Sequence, residues 1–169
     1  MKFLCIATLA AFLLLTQFIP SSRAKEQGKA LEQFILYPIG HVAKGNGQTM
    51  IVLDKAYQPG LMGLEEFSHI YVLFWFDRND TPQKRSILQV HPKGNKNNPL
   101  TGVFATRAPV RPNLIGTTLC NIVSVRNNII HIDNIDALPN TPVLDIKPYI
   151  PSIDSTKVTI SDWLKVQDK

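Results

Sequence analysis

The run His69–Phe76, His-Ile-Tyr-Val-Leu-Phe-Trp-Phe, narrows the fold of this 169-residue chain more than any other segment. Aromatic and β-branched residues without formal charge suit a strand, and a strand apolar on both faces must be covered on both, so a buried central strand is expected. Short β-type runs broken by turns surround it. Phe34–Val42, interrupted by Pro38, and Thr49–Leu53 precede it; Ile87–His91, Val103–Thr106, Leu119–Val125, Ile129–Ile132 and Val143–Ile146 follow. Arg126-Asn127-Asn128 carries the paired Asn of a tight hairpin turn. Helical periodicity is scarce: Leu61–Phe67 predicts one turn, and Ser161–Val166 a short helix capped by Ser161 or Asp162. Closely spaced short strands among 12 Pro and 9 Gly predict a mainly all-β domain, a small barrel or sandwich, with no repeat and no second domain.

The N-terminus reads differently. Lys2 is followed by an apolar stretch from Phe3 to Phe18, then Ser22-Arg23-Ala24, then an abrupt polar turn at Lys25-Glu26-Gln27. Those are the parts of a secretory signal, and the apolar stretch is short for a membrane span. The expected organisation is a signal peptide at 1–24, a polar leader at 25–33 and one domain at 34–169. The mature protein is then exported, periplasmic or secreted, without stable membrane association. Cleavage lowers the net charge from +5 to +3, mildly basic and too weak to argue for nucleic acid. It also leaves Cys120 alone in an apolar stretch, with no internal disulfide to form and burial expected. The sequon Asn79-Asp80-Thr81 matters only in a eukaryotic secretory pathway.

No nucleophile elbow, P-loop or zinc-protease motif is present, and Gly45-Asn46-Gly47 reads as a simple turn. His41, His69, His91 and His131 are scattered without ligand spacing, so no metal site is expected. Two segments carry chemistry. Gly102–Gly116, GVFATRAPVRPNLIG, sets Arg107 and Arg111 in a loop stiffened by Pro109 and Pro112. A stiff loop can hold Arg107, Arg111 and Asn113 for a carboxylate, phosphate or base edge, or its arginines can pair with carboxylates of the fold. Asp133–Asp154 places aspartates among prolines in an apolar stretch, with Asp145 and Lys147 on one face of a strand, as a strand-end ion pair or part of a site.

Together, Phe67-Ser68-His69 and its strand, GVFATRAPVRPNLIG and TPVLDIKPYIPSID resemble the TrmO/TsaA-like family. Ile39-Gly40-His41-Val42 is similar to its opening strand and Gly63–Phe67 to its pre-strand turn, so the likeness runs from Tyr37 to Asp154. The resemblance implies a small antiparallel β-barrel, often dimeric, that binds S-adenosyl-L-methionine. It also implies methyl transfer to N6 of threonylcarbamoyladenosine in tRNA. By the same resemblance Phe76, Asp77, Arg107, Thr117, Asp133, Asn134, Ile135 and Asp136 touch the cofactor. Arg111, Asn113, Lys147 and Tyr149 are expected to meet the substrate in the same cleft, with Asp136 and Asp145 as catalytic carboxylates.

Four departures bear on activity. The chain passes from Val42 almost directly to Gly45-Asn46-Gly47, without the Arg-Gln-Pro-Gly loop of tRNA-methylating members. Asp77 stands where His is common, Leu114 replaces a second Pro, and Pro139-Asn140 replaces Asp-Gly. The C-terminal domain of some members is also not expected here. An exported module that binds S-adenosylmethionine or a nucleoside without methylating is therefore the alternative, and tRNA is an awkward partner for an exported protein.

Overall fold

The computed structural model describes residues 33–165. The signal segment, the leader up to residue 32 and the end of the expected C-terminal helix lie outside them. The chain divides after Phe34, and the unit from Ile35 holds all the described strands. They are β1 (Gly40–Gly45), β2 (Gln48–Leu53), β3 (His69–Trp75), β4 (Gln89–Val90), β5 (Thr101–Gly102), β6 (Ile115–Arg126), β7 (Ile129–Ile132) and β8 (Pro142–Pro148). Six close an antiparallel barrel in the order β1-β2-β7-β6-β3-β8, and β4 with β5 forms a separate ribbon. The described helices are short: single-turn α1 (Pro82–Arg85), α2 (Pro151–Asp154) and α3 (Asp162–Lys165), with several 3-10 segments, the longest Lys55–Leu61.

Two hairpins follow from their turn residues. Asn46 (φ 52°) and Gly47 (φ 72°) link β1 to β2 with both central residues left-handed, the conformation that twists with the flanking strands. Asn127 (φ 54°) and Asn128 link β6 to β7, and the Asn128 amide donates back to the Leu53 carbonyl. The strand expected from Phe34 begins only at Gly40. Ile39 N–H reaches the Val143 carbonyl at 2.8 Å, but Ile35, Leu36 and Tyr37 pair with no strand and stay exposed. Of the strand expected at Val103–Thr106, Val103–Ala105 is a 3-10 turn, because the Val103 carbonyl takes donors from its own loop.

The central strand is where the aromatic run placed it. Hydrogen-bonded to β6 on one side and β8 on the other, β3 sends Ile70, Val72 and Phe74 inward. Its second face is only half covered, against the expectation of burial on both: a closed barrel has one interior, so His69, Tyr71, Leu73 and Trp75 point outward. Val42, Ile51, Leu53, Cys120, Ile130, Ile132 and Val143 complete the interior, and Leu61 and Ile135 pack against it.

Gly40 marks the tightest seam, pairing with both Leu53 of β2 and Val143 of β8. A Cβ there would lie 2.3 Å from the Val52 carbonyl oxygen and 2.7 Å from Leu53 Cα. Backbone cannot rotate aside as a side chain can, so the seam itself must part. Gly40→Ala should destabilise the barrel by about 1–3 kcal/mol in urea unfolding; an unchanged midpoint would show that the seam is looser than this geometry.

Candidate functional site

Antiparallel pairing carries the C-terminal end of β3, the β1 exit and the β7–β8 connection to one end of the barrel. There they enclose a cleft of about 430 Å³. Phe74 and Phe76 form its apolar floor, edge to face with ring centroids 5.3 Å apart. Gly116 makes room for both rings: a Cβ on it would meet Phe74 at 2.5 Å and Phe76 at 2.8 Å. Phe76 N–H donates to the Leu114 carbonyl at 2.8 Å, tying the strand end to the arginine-bearing loop.

That loop is pinned from inside. The Val103 carbonyl accepts from Thr106 N at 3.2 Å, Thr106 Oγ1 at 3.0 Å and Arg111 Nη2 at 3.2 Å. Arg85 Nη1 donates to the Pro112 carbonyl at 2.6 Å, while its Nε meets Asp80 at 2.7 Å and its guanidinium lies 5.1 Å above the Trp75 ring. Arg111 is therefore a scaffold arginine that binds a carbonyl, and Asn113 is exposed beside it. Leu114 is fully buried at φ 52°. Proline cannot adopt that angle, so a Pro at this position would require a different local backbone.

The β7–β8 connection is held as firmly. Asp133 Oδ1 accepts from Asn121 N at 2.9 Å and Asn134 N at 2.7 Å, Asn134 Oδ1 accepts from Ile135 N at 2.8 Å, and the Ile135 side chain is buried. Lys44 Nζ donates to the Ile135 carbonyl at 2.7 Å, and Arg78 Nη2 to the Pro139 carbonyl at 3.2 Å. These bonds leave three charged side chains at the cleft, Asp77, Arg107 and Asp136, with no hydrogen bond or ion pair among the described residues. Sequence reasoning missed Lys44, Arg78 and Thr141 as lining residues. Lys44 was within reach of it, since strand alternation sets Lys44 on the same side of β1 as buried Val42. Arg78 and Thr141 carry no such signal.

Arg111, Asn113, Asp133, Asn134 and Ile135 stand behind the cleft without lining it, and four more expected residues lie on the outer wall. Thr117 and Asp145 flank Leu73 on the outer wall, and Lys147 follows Asp145 there. Alternation alone would place Asp145 and Lys147 with Val143, which points inward. A β-bulge intervenes: Phe74 pairs with Val143 and Leu73 with Asp145, leaving Leu144 as the extra residue and turning both charges outward. Lys147 Nζ meets Asp145 Oδ2 at 2.8 Å, and the Asp145 carboxylate raises the Lys147 pKa above its ordinary value. Tyr149 packs against His69 and Tyr71, ring centroids 6.4 and 6.0 Å away. The single cleft expected for all the motif residues is thus two surfaces, the barrel end with Phe76, Asp77, Arg107 and Asp136, and the outer wall with Thr117, Asp145, Lys147 and Tyr149.

Burial, with a smaller push from Asp133, raises the Cys120 thiol to about 12, so it is neutral and inert. The hydrogen bond from Arg85 holds the Asp80 carboxyl below its ordinary pKa. Its contribution is complete above the ordinary carboxylate range and is lost as pH falls through the lowered value. Carboxyl-carbon NMR titration should show Asp80 ionising below 3.8 and returning toward that value in Arg85→Ala; no change on substitution would remove Arg85 as the cause.

Known proteins set this geometry in context. Residues 33–155 match the tRNA-methyltransferase O N-terminal domain. A probable S-adenosyl-L-methionine-binding protein of Methanocaldococcus jannaschii is 46% identical over 125 residues, covering 74% of this chain and 99% of that protein. The human tRNA (adenine(37)-N6)-methyltransferase is 47% identical over 98 residues, covering 58% of this chain but 22% of the enzyme. The crystal structure of TrmO from Pseudomonas aeruginosa superposes with a TM-score of 0.57 at 27% identity, over 74% of this chain and 60% of that one. With its barrel, its motifs and most of its length accounted for, the chain belongs to the TrmO N-terminal domain family.

Proposed function

We propose that the cleft binds S-adenosyl-L-methionine and presents its methyl group to N6 of a modified adenosine. The observation that carries this reading is the set of three unpartnered charges, Asp77, Arg107 and Asp136, around the Phe74–Phe76 floor. The donor set suits that cofactor. Arg107 offers a planar fork for a carboxylate, the two aspartates face cationic and hydroxyl groups, and the aromatic floor takes a flat ring. The volume lies in the ordinary range for small-molecule sites.

S-adenosylmethionine, when bound, supplies a methyl group already activated on a sulfonium, whose S–C bond breaks as the new N–C bond forms. The chain's part is positioning. Asp136 accepts a hydrogen bond from the acceptor amine, aligns its nitrogen and takes up the proton that amine releases. Lys44 and Arg78 hold the loop that carries Asp136. Relatives named for tRNA methylation make tRNA the proposed carrier of the adenosine. Binding without transfer is the second reading, favoured by the two-residue turn at Asn46-Gly47 in place of a longer cofactor-contacting loop.

Arg107→Ala should abolish measurable S-adenosylmethionine binding by calorimetry while leaving the circular dichroism melt in place; undiminished binding would sink the assignment. Incubating the protein with labelled cofactor and modified tRNA separates the two readings, since label moves to tRNA only under the first. Export is proposed alongside, with residues 1–24 as the signal. N-terminal sequencing of the exported protein should then begin at Lys25, and an intact N-terminus would contradict cleavage.

A further inference from the structure

A second cavity of about 1120 Å³ adjoins the cleft, and Arg107, Pro109 and Asp136 line both. One part of its wall comes from Trp163 and Leu164 of α3, beyond residue 155, where the family domain ends. Phe104 also lines the cavity and is 78% exposed, a large apolar ring left facing solvent. Lys93 and Lys96 line it too, neither with a hydrogen bond or ion pair among the described residues, and Lys93 is held at φ 58°. A non-glycine residue at that angle is one of the local costs that folds retain at working sites.

Two aromatic side chains in a mainly apolar hollow suit a flat heteroaromatic ring, and two free ammonium groups at its edge suit a phosphate. Asp136, the one carboxylate lining the cavity among the described residues, also lines the cleft. We propose that this cavity is a nucleotide subsite, its base held at Phe104 and Trp163 and its phosphate at Lys93 and Lys96. The segment beyond residue 155 sets its shape. As the place where the methyl acceptor waits, the subsite rests on the cofactor reading above; as a binding site it does not.

The two tryptophans of the chain make the test, because Trp75 lines the cleft and Trp163 the second cavity. In a Trp75→Phe protein, Trp163 is the remaining tryptophan, and adenosine monophosphate or a short single-stranded oligoadenylate should quench its fluorescence saturably. Comparison of the two ligands separates a free nucleotide from one carried in a strand. Adding Lys93→Ala with Lys96→Ala should weaken that binding at least tenfold without moving the melting temperature, and Phe104→Ala should weaken it independently. Quenching by neither ligand, or quenching indifferent to the lysines and to Phe104, overturns the subsite. The complementary Trp163→Phe protein, titrated with S-adenosylhomocysteine and read at Trp75, reports the cleft alone. Silence there with a response at Trp163 would fell the cofactor reading and leave the subsite standing.

Discussion

Everything in this molecule depends on β3 being paired along both edges. Its hydrogen bonds to β6 and β8 close the sheet into a barrel, and closure leaves no exposed edge in the wall. Closure also decides where chemistry can happen. The interior is filled by Ile70, Val72, Phe74 and their neighbours, so a ligand can sit only at an end of the barrel or on its outer wall. Because β3 runs antiparallel to its neighbours, its last residues emerge beside the β7–β8 connection. Aromatic side chains of the strand thereby become the floor beneath charged side chains of the loops.

Around that floor, strong donors are spent on backbone carbonyls and the remaining charges are left free. Arg111 and Arg85 bind the loop from Val103 to Pro112, and Lys44 and Arg78 bind the connection from Ile135 to Pro139. A donor held on a carbonyl stiffens a loop without neutralising the carboxylates nearby. Asp77, Arg107 and Asp136 are thus fixed through their backbones while their charged ends stay unpaired, which is the preorganisation that a binding site requires.

The barrel was largely legible in the sequence because its cause is local. Alternation and β-branched content marked the strands at Thr49–Leu53, His69–Phe76 and Ile129–Ile132, and Asn pairs marked a turn. What escaped has non-local causes. Val103-Phe104-Ala105 has strand-like composition, yet the Arg111 guanidinium, eight residues away, helps hold it as a turn. Asp145 and Lys147 were rightly placed on one face, but a single extra residue in β8 changed which face it was, and period-two counting cannot see a bulge. Of the cleft, Phe76, Asp77, Arg107 and Asp136 were named from the sequence and line one hollow, whereas Lys44 and Arg78 enter through tertiary contacts.

Membership of the TrmO N-terminal domain family accounts for the barrel and the motifs. Leu114, the two-residue turn at Asn46-Gly47 and the α3 residues beyond the matched segment shape the surroundings of the cleft in this chain. The central claim is that the barrel-end cleft, and not the outer wall, takes the cofactor. A crystal structure of the protein grown with S-adenosylhomocysteine tests it most directly. The ligand is expected over Phe76, with its carboxylate on Arg107 and with Asp136 within hydrogen-bonding distance. A ligand seated instead on the outer wall beside Asp145 and Lys147 would contradict it.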